Sequence, residues 1–201
     1  MVLATAVVVL RAADYVPAQR IAGDVPNPPV SAIGWVEAVV DLDIDAAGGI
    51  ANAIGIRATP GGLNSLLPSL KNWKFKPAND GEHAVASHVI VAAMMRPAQL
   101  FDPAGGSPAE DLKPGAKDAP APLSFGRPVY PIKAVGNRSV LVEVLIKPDG
   151  HVDRTTIVGA TSGFDSAAIT AAQGWSFRPA HRDDKAVPGV AYLIFGFRMP
   201  V

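Results

Sequence analysis

Trp73-Lys74-Phe75-Lys76-Pro77-Ala78 and, 102 residues on, Trp175-Ser176-Phe177-Arg178-Pro179-Ala180 spell one W-x-F-x-P-A pattern twice. Carried outward without gaps, the same shift pairs Pro26 with Pro128, Val40 with Val142, Ile44 with Ile146, Gly48 with Gly150, Gly61 with Gly163 and Arg96 with Arg198. Agreement at one fixed spacing over so many positions marks an internal duplication rather than shared composition. The expected fold is α+β: two tandem β-β-α-β modules, each a small antiparallel sheet packed on one helix, joined by a Pro/Gly-rich spacer. The boundaries read as 1–24 for an N-terminal segment, 25–97 for a diverged first module, 98–126 for the linker and 127–201 for the second module.

Each unit reads alike. Val36, Ala38, Val40, Leu42 and Ile44 alternate with Glu37, Val39, Asp41, Asp43 and Asp45, the period-two pattern of a strand with one buried face and Asp41, Asp43 and Asp45 on the solvated one. Its counterpart, residues 140–147, ends in Pro148-Asp149-Gly150, a hairpin turn whose glycine supplies an unusual backbone angle. A helix should open at Ser162-Gly163-Phe164-Asp165 with Asp165 as cap, and in the first unit at Asn64, with Leu63, Leu66, Leu67 and Leu70 on one face and Pro68 disturbing its start. Trp73, Phe75, Trp175 and Phe177 read as core under each helix.

Charge is balanced, 18 basic against 18 acidic residues, which leaves no electrostatic footprint for nucleic acid. With no cysteine, thiolate metal sites and cysteine nucleophiles are excluded. His83, His88, His151 and His181 fall in no metal-ligand spacing, and no serine nucleophile motif, phosphate loop or dinucleotide fingerprint occurs. Catalytic, cofactor and metal residues are therefore expected to be none. Met1 to Leu10 is an apolar run too short to span a bilayer, readable as a β-strand or as the remnant of a targeting segment that lacks its basic start.

The ordered series Pro148-Asp149-Gly150, Ser162-Gly163-Phe164-Asp165, Trp175 to Ala180 and a last apolar strand, preceded by Pro128-Val129-Tyr130-Pro131, resembles the TonB C-terminal domain family. The second unit is the closer match. In the first unit Ala47 replaces the turn aspartate and Gly62 is inserted. The resemblance implies a non-enzymatic interaction module in the periplasm or envelope of a Gram-negative bacterium, with protein partners, among them segments of outer-membrane transporters in energy transduction. It further implies that a partner's segment adds as a β-strand to the edge of the last strand. In this chain the receivers would be Val190, Ala191, Tyr192, Leu193, Ile194 and Phe195, with His88, Val89, Ile90 and Val91 in the first unit. The rival expectation is a structural unit or homodimer whose sheet edges pair with each other.

Overall fold

The structure, a computed structural model, describes residues 15–26, 36–97, 107–108, 113, 115–159 and 163–199. It is α+β, mostly strand with two helices. Six long strands carry it: β1 Val36–Ile44, β2 Ile50–Ala58, β3 Ser87–Pro97, β4 Arg138–Ile146, β5 Val152–Val158 and β6 Gly189–Arg198. Helix α1, Gly62–Leu70, connects β2 to β3 through a short hairpin, and α2, Asp165–Gln173, does the same between β5 and β6. The apolar run from Met1 to Leu10 and the helix-opening Ser162 lie outside the described residues.

Two separate small sheets were expected, and the six strands instead make one sheet in the order β5-β4-β6-β3-β1-β2. β6 and β3 lie side by side and parallel, from Ala191 beside Ile90 to Arg198 beside Pro97, while every other neighbouring pair is antiparallel. Reading the order backwards exchanges the two halves, so the axis relating them runs along β3 and β6. A half-turn about such an axis turns the sheet over and puts the helices on opposite faces. Two cores follow. Leu66 and Leu70 of α1, with Trp73 and Phe75, pack on one face. Ala168, Ala171 and Ala172 of α2, with Trp175 and Phe177, pack on the other.

Neither core belongs to one half. Ile90, Ala92 and Met94 of β3 lie in the α2 layer, and Val190, Tyr192 and Ile194 of β6 lie in the α1 layer. Tyr192 meets Trp73 edge-on at 5.7 Å between ring centres, a contact worth about 0.5–1.5 kcal/mol beyond its area. The uninterrupted apolar stretches 89–95 and 190–195 explain the central placement, because a strand covered on both faces needs no polar alternation.

An arm precedes each half. Gln19–Ala22 pairs with Lys74–Lys76, and Ala121–Phe125 pairs with Ser176–Arg178 in the equivalent register, Gln19 beside Lys76 and Ala121 beside Arg178. A buried indole N–H requires an acceptor, and each arm supplies one: Trp73 Nε1 donates to the Asp24 carbonyl at 2.7 Å, Trp175 Nε1 to the Gly126 carbonyl at 3.0 Å. Residues 15–24, placed by the sequence outside the first module, are therefore built into it. The described residues at the end of the proposed linker, 115–126, likewise belong to the second half.

Both hairpin turns use a glycine with positive φ, Gly48 at 84° and Gly150 at 86°. A Cβ there would lie 2.1 Å from the carbonyl oxygen of Phe75 or Phe177. Two helix expectations are corrected. α1 begins at Gly62, after Gly61 with φ 81°, and not at Asn64, which puts Pro68 well inside the helix. In α2, Asp165 is the first helical residue and Phe164 precedes it, with no side-chain cap bond. There the carboxylate sits by the positive end of the helix dipole, and Phe164 packs on Phe197, 5.0 Å away, and on Tyr130.

Candidate protein-interaction site

The ten residues expected at receiving edges sit instead in the middle of the sheet. Val190, Ala191, Tyr192, Leu193, Ile194 and Phe195 are buried in β6, between β4 and β3. Val89, Ile90 and Val91 are buried in β3, between β6 and β1, and His88, the second residue of the same strand, has its side chain 25% exposed. From Ile90 and Ala191 onward, backbone groups already paired on both sides leave no register for a further strand. The apolar stretches that fix these strands at the centre are thus also the reason that they are not edges.

The sheet ends at β2 and β5. β2 is broken by two register shifts against β1, between Val39 and Val40 and between Asp43 and Ile44. Its outer side is already touched by the second arm's approach, since the Lys113 amide donates to the Ile56 carbonyl at 2.8 Å. β5 carries one shift, between Leu145 and Ile146, and then runs regularly from Arg154 to Val158. Among the described residues no strand pairs with its outer side.

The acid expected on the solvated face of β1 is buried. Asp41 is 1% exposed because Gly115 and Ala116 cross over that face. Its Oδ1 lies 3.0 Å from His88 Nδ1 and its Oδ2 accepts the Ala116 amide at 2.8 Å. The hydrogen bond that His88 donates to Asp41 raises its pKa above the ordinary value, against desolvation, with Asp41, Asp43 and Asp118 adding negative charge. Glu37, 2% exposed, pairs with Arg57 at 2.9 Å, and the Arg57 guanidinium lies over Phe125 of the second arm. Alternation along β1 did not reveal this cover, because it comes from residues more than 70 positions away.

The other half repeats the device with different groups. Glu143, 102 positions after Asp41, accepts the Tyr192 hydroxyl at 2.8 Å, and that oxygen accepts the Arg20 amide of the first arm at 2.6 Å. Burial raises the Tyr192 pKa strongly, so the phenol keeps the proton that it donates. Each arm is therefore tied to an acid of the opposite half.

Beside these anchors lie two grooves of similar size. One, about 290 Å³, is polar and contains Asp43, His88, Asp118 and His181. The other, about 300 Å³, is more apolar, with Leu145, Val190, Pro17 and Pro188. Asp80 and Arg182, also 102 positions apart, join across the halves at 2.8 Å. Among the described residues no group of three or more histidine, aspartate or glutamate side chains is placed to hold a metal ion. What the surface offers is backbone edge and shaped groove.

No curated protein matches the chain. The family model described as Gram-negative bacterial TonB protein C-terminal matches residues 126–199, so the half containing β4, β5, α2 and β6 is similar to an envelope protein-interaction domain.

Proposed function

We propose that the protein is a non-catalytic module of the Gram-negative envelope, built from two copies of one TonB-like unit, that holds an extended segment of another protein at an edge of its sheet. The observation that carries this is β5: it lies in the half matching the family model, and no strand covers its outer side among the described residues. Unpaired amides and carbonyls on such an edge are sufficient to bind a strand. Because β3 and β6 pair with each other, the receiving strand moves from the last strand of the unit to the second. Segments of outer-membrane transporters are the partners that the family resemblance implies. No helix among the described residues is long and apolar enough to cross a membrane.

A second reading is favoured by the parallel β3–β6 pair itself. In it the copies have closed on each other and the protein is a structural unit whose receiving edges are satisfied within the chain. Amide hydrogen exchange decides between the two. Fast exchange along one side of β5, with β3 and β6 protected, supports partner binding. Uniform protection of all six strands, at a monomer mass independent of concentration, supports the structural reading and sinks the first.

A further inference from the structure

The loop that leads into β4 is fixed from beneath and shows apolar side chains to water. Tyr130 and Ala134 pack on the α2 core, the Tyr130 hydroxyl donates to the Gly136 carbonyl at 2.9 Å, and the Ala134 amide donates to the Pro131 carbonyl at 3.0 Å. The last of these bonds closes a turn with Ile132 and Lys133 at its tip. Ile132 is wholly exposed and Val135 three-quarters exposed. Met199, just past β6, joins the same loop through its amide, which donates to Asn137 Oδ1 at 2.9 Å, and its side chain is half exposed. Scattered apolar residues on a surface need no explanation, but several on one rigid loop mark a site of contact.

Charge points to the kind of surface that is met. The chain is neutral as a whole, yet no aspartate or glutamate occurs from Ala119 to Val142, a stretch that holds Arg127, Lys133 and Arg138. Lys133 and Arg138 are exposed and form no salt bridge among the described residues. The acids at this end of the sheet are taken, Glu37 being buried against Arg57 and Asp165 likewise engaged. The three bases belong to this half alone, since 102 positions earlier stand Val25, Ser31 and Val36. A convex apolar tip flanked by unopposed bases suits a deformable anionic surface: the apolar side chains enter the acyl boundary while the bases stay at the headgroups.

We propose that residues 129–138, with Met199, seat this half of the protein on the surface of a bilayer containing anionic phospholipid, lying on it without spanning it. Strand addition at β5 is not required for this. The loop adjoins the start of β4, whereas both grooves lie at its other end, about 20–25 Å away along the strands, so the seated protein keeps its grooves turned from the lipid.

The chain contains no cysteine, so Ile132→Cys takes a single environment-sensitive dye, and Ile54→Cys on β2, also exposed, serves as control. Each labelled chain is titrated with vesicles of phosphatidylcholine alone and with vesicles containing about one third phosphatidylglycerol. The dye at 132 should shift to the blue and the dye at 54 should not. At about fivefold per base near the surface, anionic vesicles should bind about 20-fold more tightly, a preference that about 0.5 M salt largely removes. In sedimentation with unlabelled chains, Lys133→Gln/Arg138→Gln should lose that preference, and Ile132→Ser/Val135→Ser should bind about tenfold or more weakly to both vesicle types. Thermal unfolding should be unchanged in both double variants, because all four side chains are exposed. Equal binding with and without anionic lipid, a blue shift at 54, full binding by Ile132→Ser/Val135→Ser, or no binding at millimolar lipid overturns the proposal. A blue shift at 132 that grows with protein concentration without vesicles means that a second copy covers the loop, and overturns it as well.

Discussion

Asp41→Asn tests whether a buried charge ties the second arm to the first half. The carboxylate accepts the Ala116 amide at 2.8 Å and faces His88 Nδ1 at 3.0 Å, and bonds of this kind to a charged group are worth about 1.5–3 kcal/mol each. Asparagine fits the same space but keeps only one accepting oxygen. With that oxygen turned to Ala116, its NH2 faces His88, two donors opposed while the imidazole is protonated. The loss at pH 5.5 should be about 2–4 kcal/mol. His88 has a folded pKa raised above that of the unfolded chain, so its contribution is complete below about pH 6.5 and fades as pH rises through the folded value. The native protein should therefore lose stability on this account from pH 6.5 upward, while the variant, whose NH2 can donate to a neutral Nδ1, should not. Urea unfolding followed by tryptophan fluorescence at pH 5.5, 7.0 and 8.5 gives the difference directly. A gap that stays constant across that range, or that is below about 0.5 kcal/mol throughout, refutes the assignment of the pair as the anchor. Asp43 and Asp118 also raise the His88 pKa, so a small residual pH effect in the variant is expected.

Gly48→Ala and Gly150→Ala should each cost at least about 2 kcal/mol in thermal unfolding, because each combines left-handed backbone with a Cβ that meets a carbonyl oxygen, and the two costs should agree within about 1 kcal/mol. Trp73→Phe and Trp175→Phe remove one indole donor apiece, leave the Asp24 or Gly126 carbonyl without it, and should cost about 1–3 kcal/mol. Amide exchange should accelerate in the arm of the substituted half, residues 19–24 or 121–126. For Asp80 and Arg182, partly exposed, charge reversal of either alone should cost less than about 1 kcal/mol and the double exchange should recover it, a coupling that 1 M salt should largely abolish.

Much of the architecture was legible in local pattern. Hairpin glycines, the β-β-α-β order of each half and the inward Trp and Phe pairs all follow from spacing that one segment carries by itself. How the two halves meet was not, although a signal existed: residues 89–95 and 190–195 lack any polar alternation, which belongs to a strand buried on both faces and not to an edge. The placement of Asp41 was hidden for another reason. Its alternation within β1 is that of a solvent-facing side chain, and only the passage of Gly115 and Ala116 over it, set by the position of the second half, removes it from water. Arms such as 19–22 are equally silent, since short extended segments are recruited by a neighbour's need for hydrogen bonds more than by their own pattern.

The two grooves carry a consequence for stoichiometry. Two free copies meeting about a two-fold axis must present the same groove twice, because an isologous assembly repeats every residue. A single chain escapes that rule. Where one groove has Leu145 and Val190, the positions 102 earlier are Asp43 and His88 in the other. The sheet is symmetric in its strand order and asymmetric in what it displays, and a segment that fits one groove meets acid and imidazole in the other. The body thus has a front and a back, and a ligand of either chemistry should saturate at one per chain.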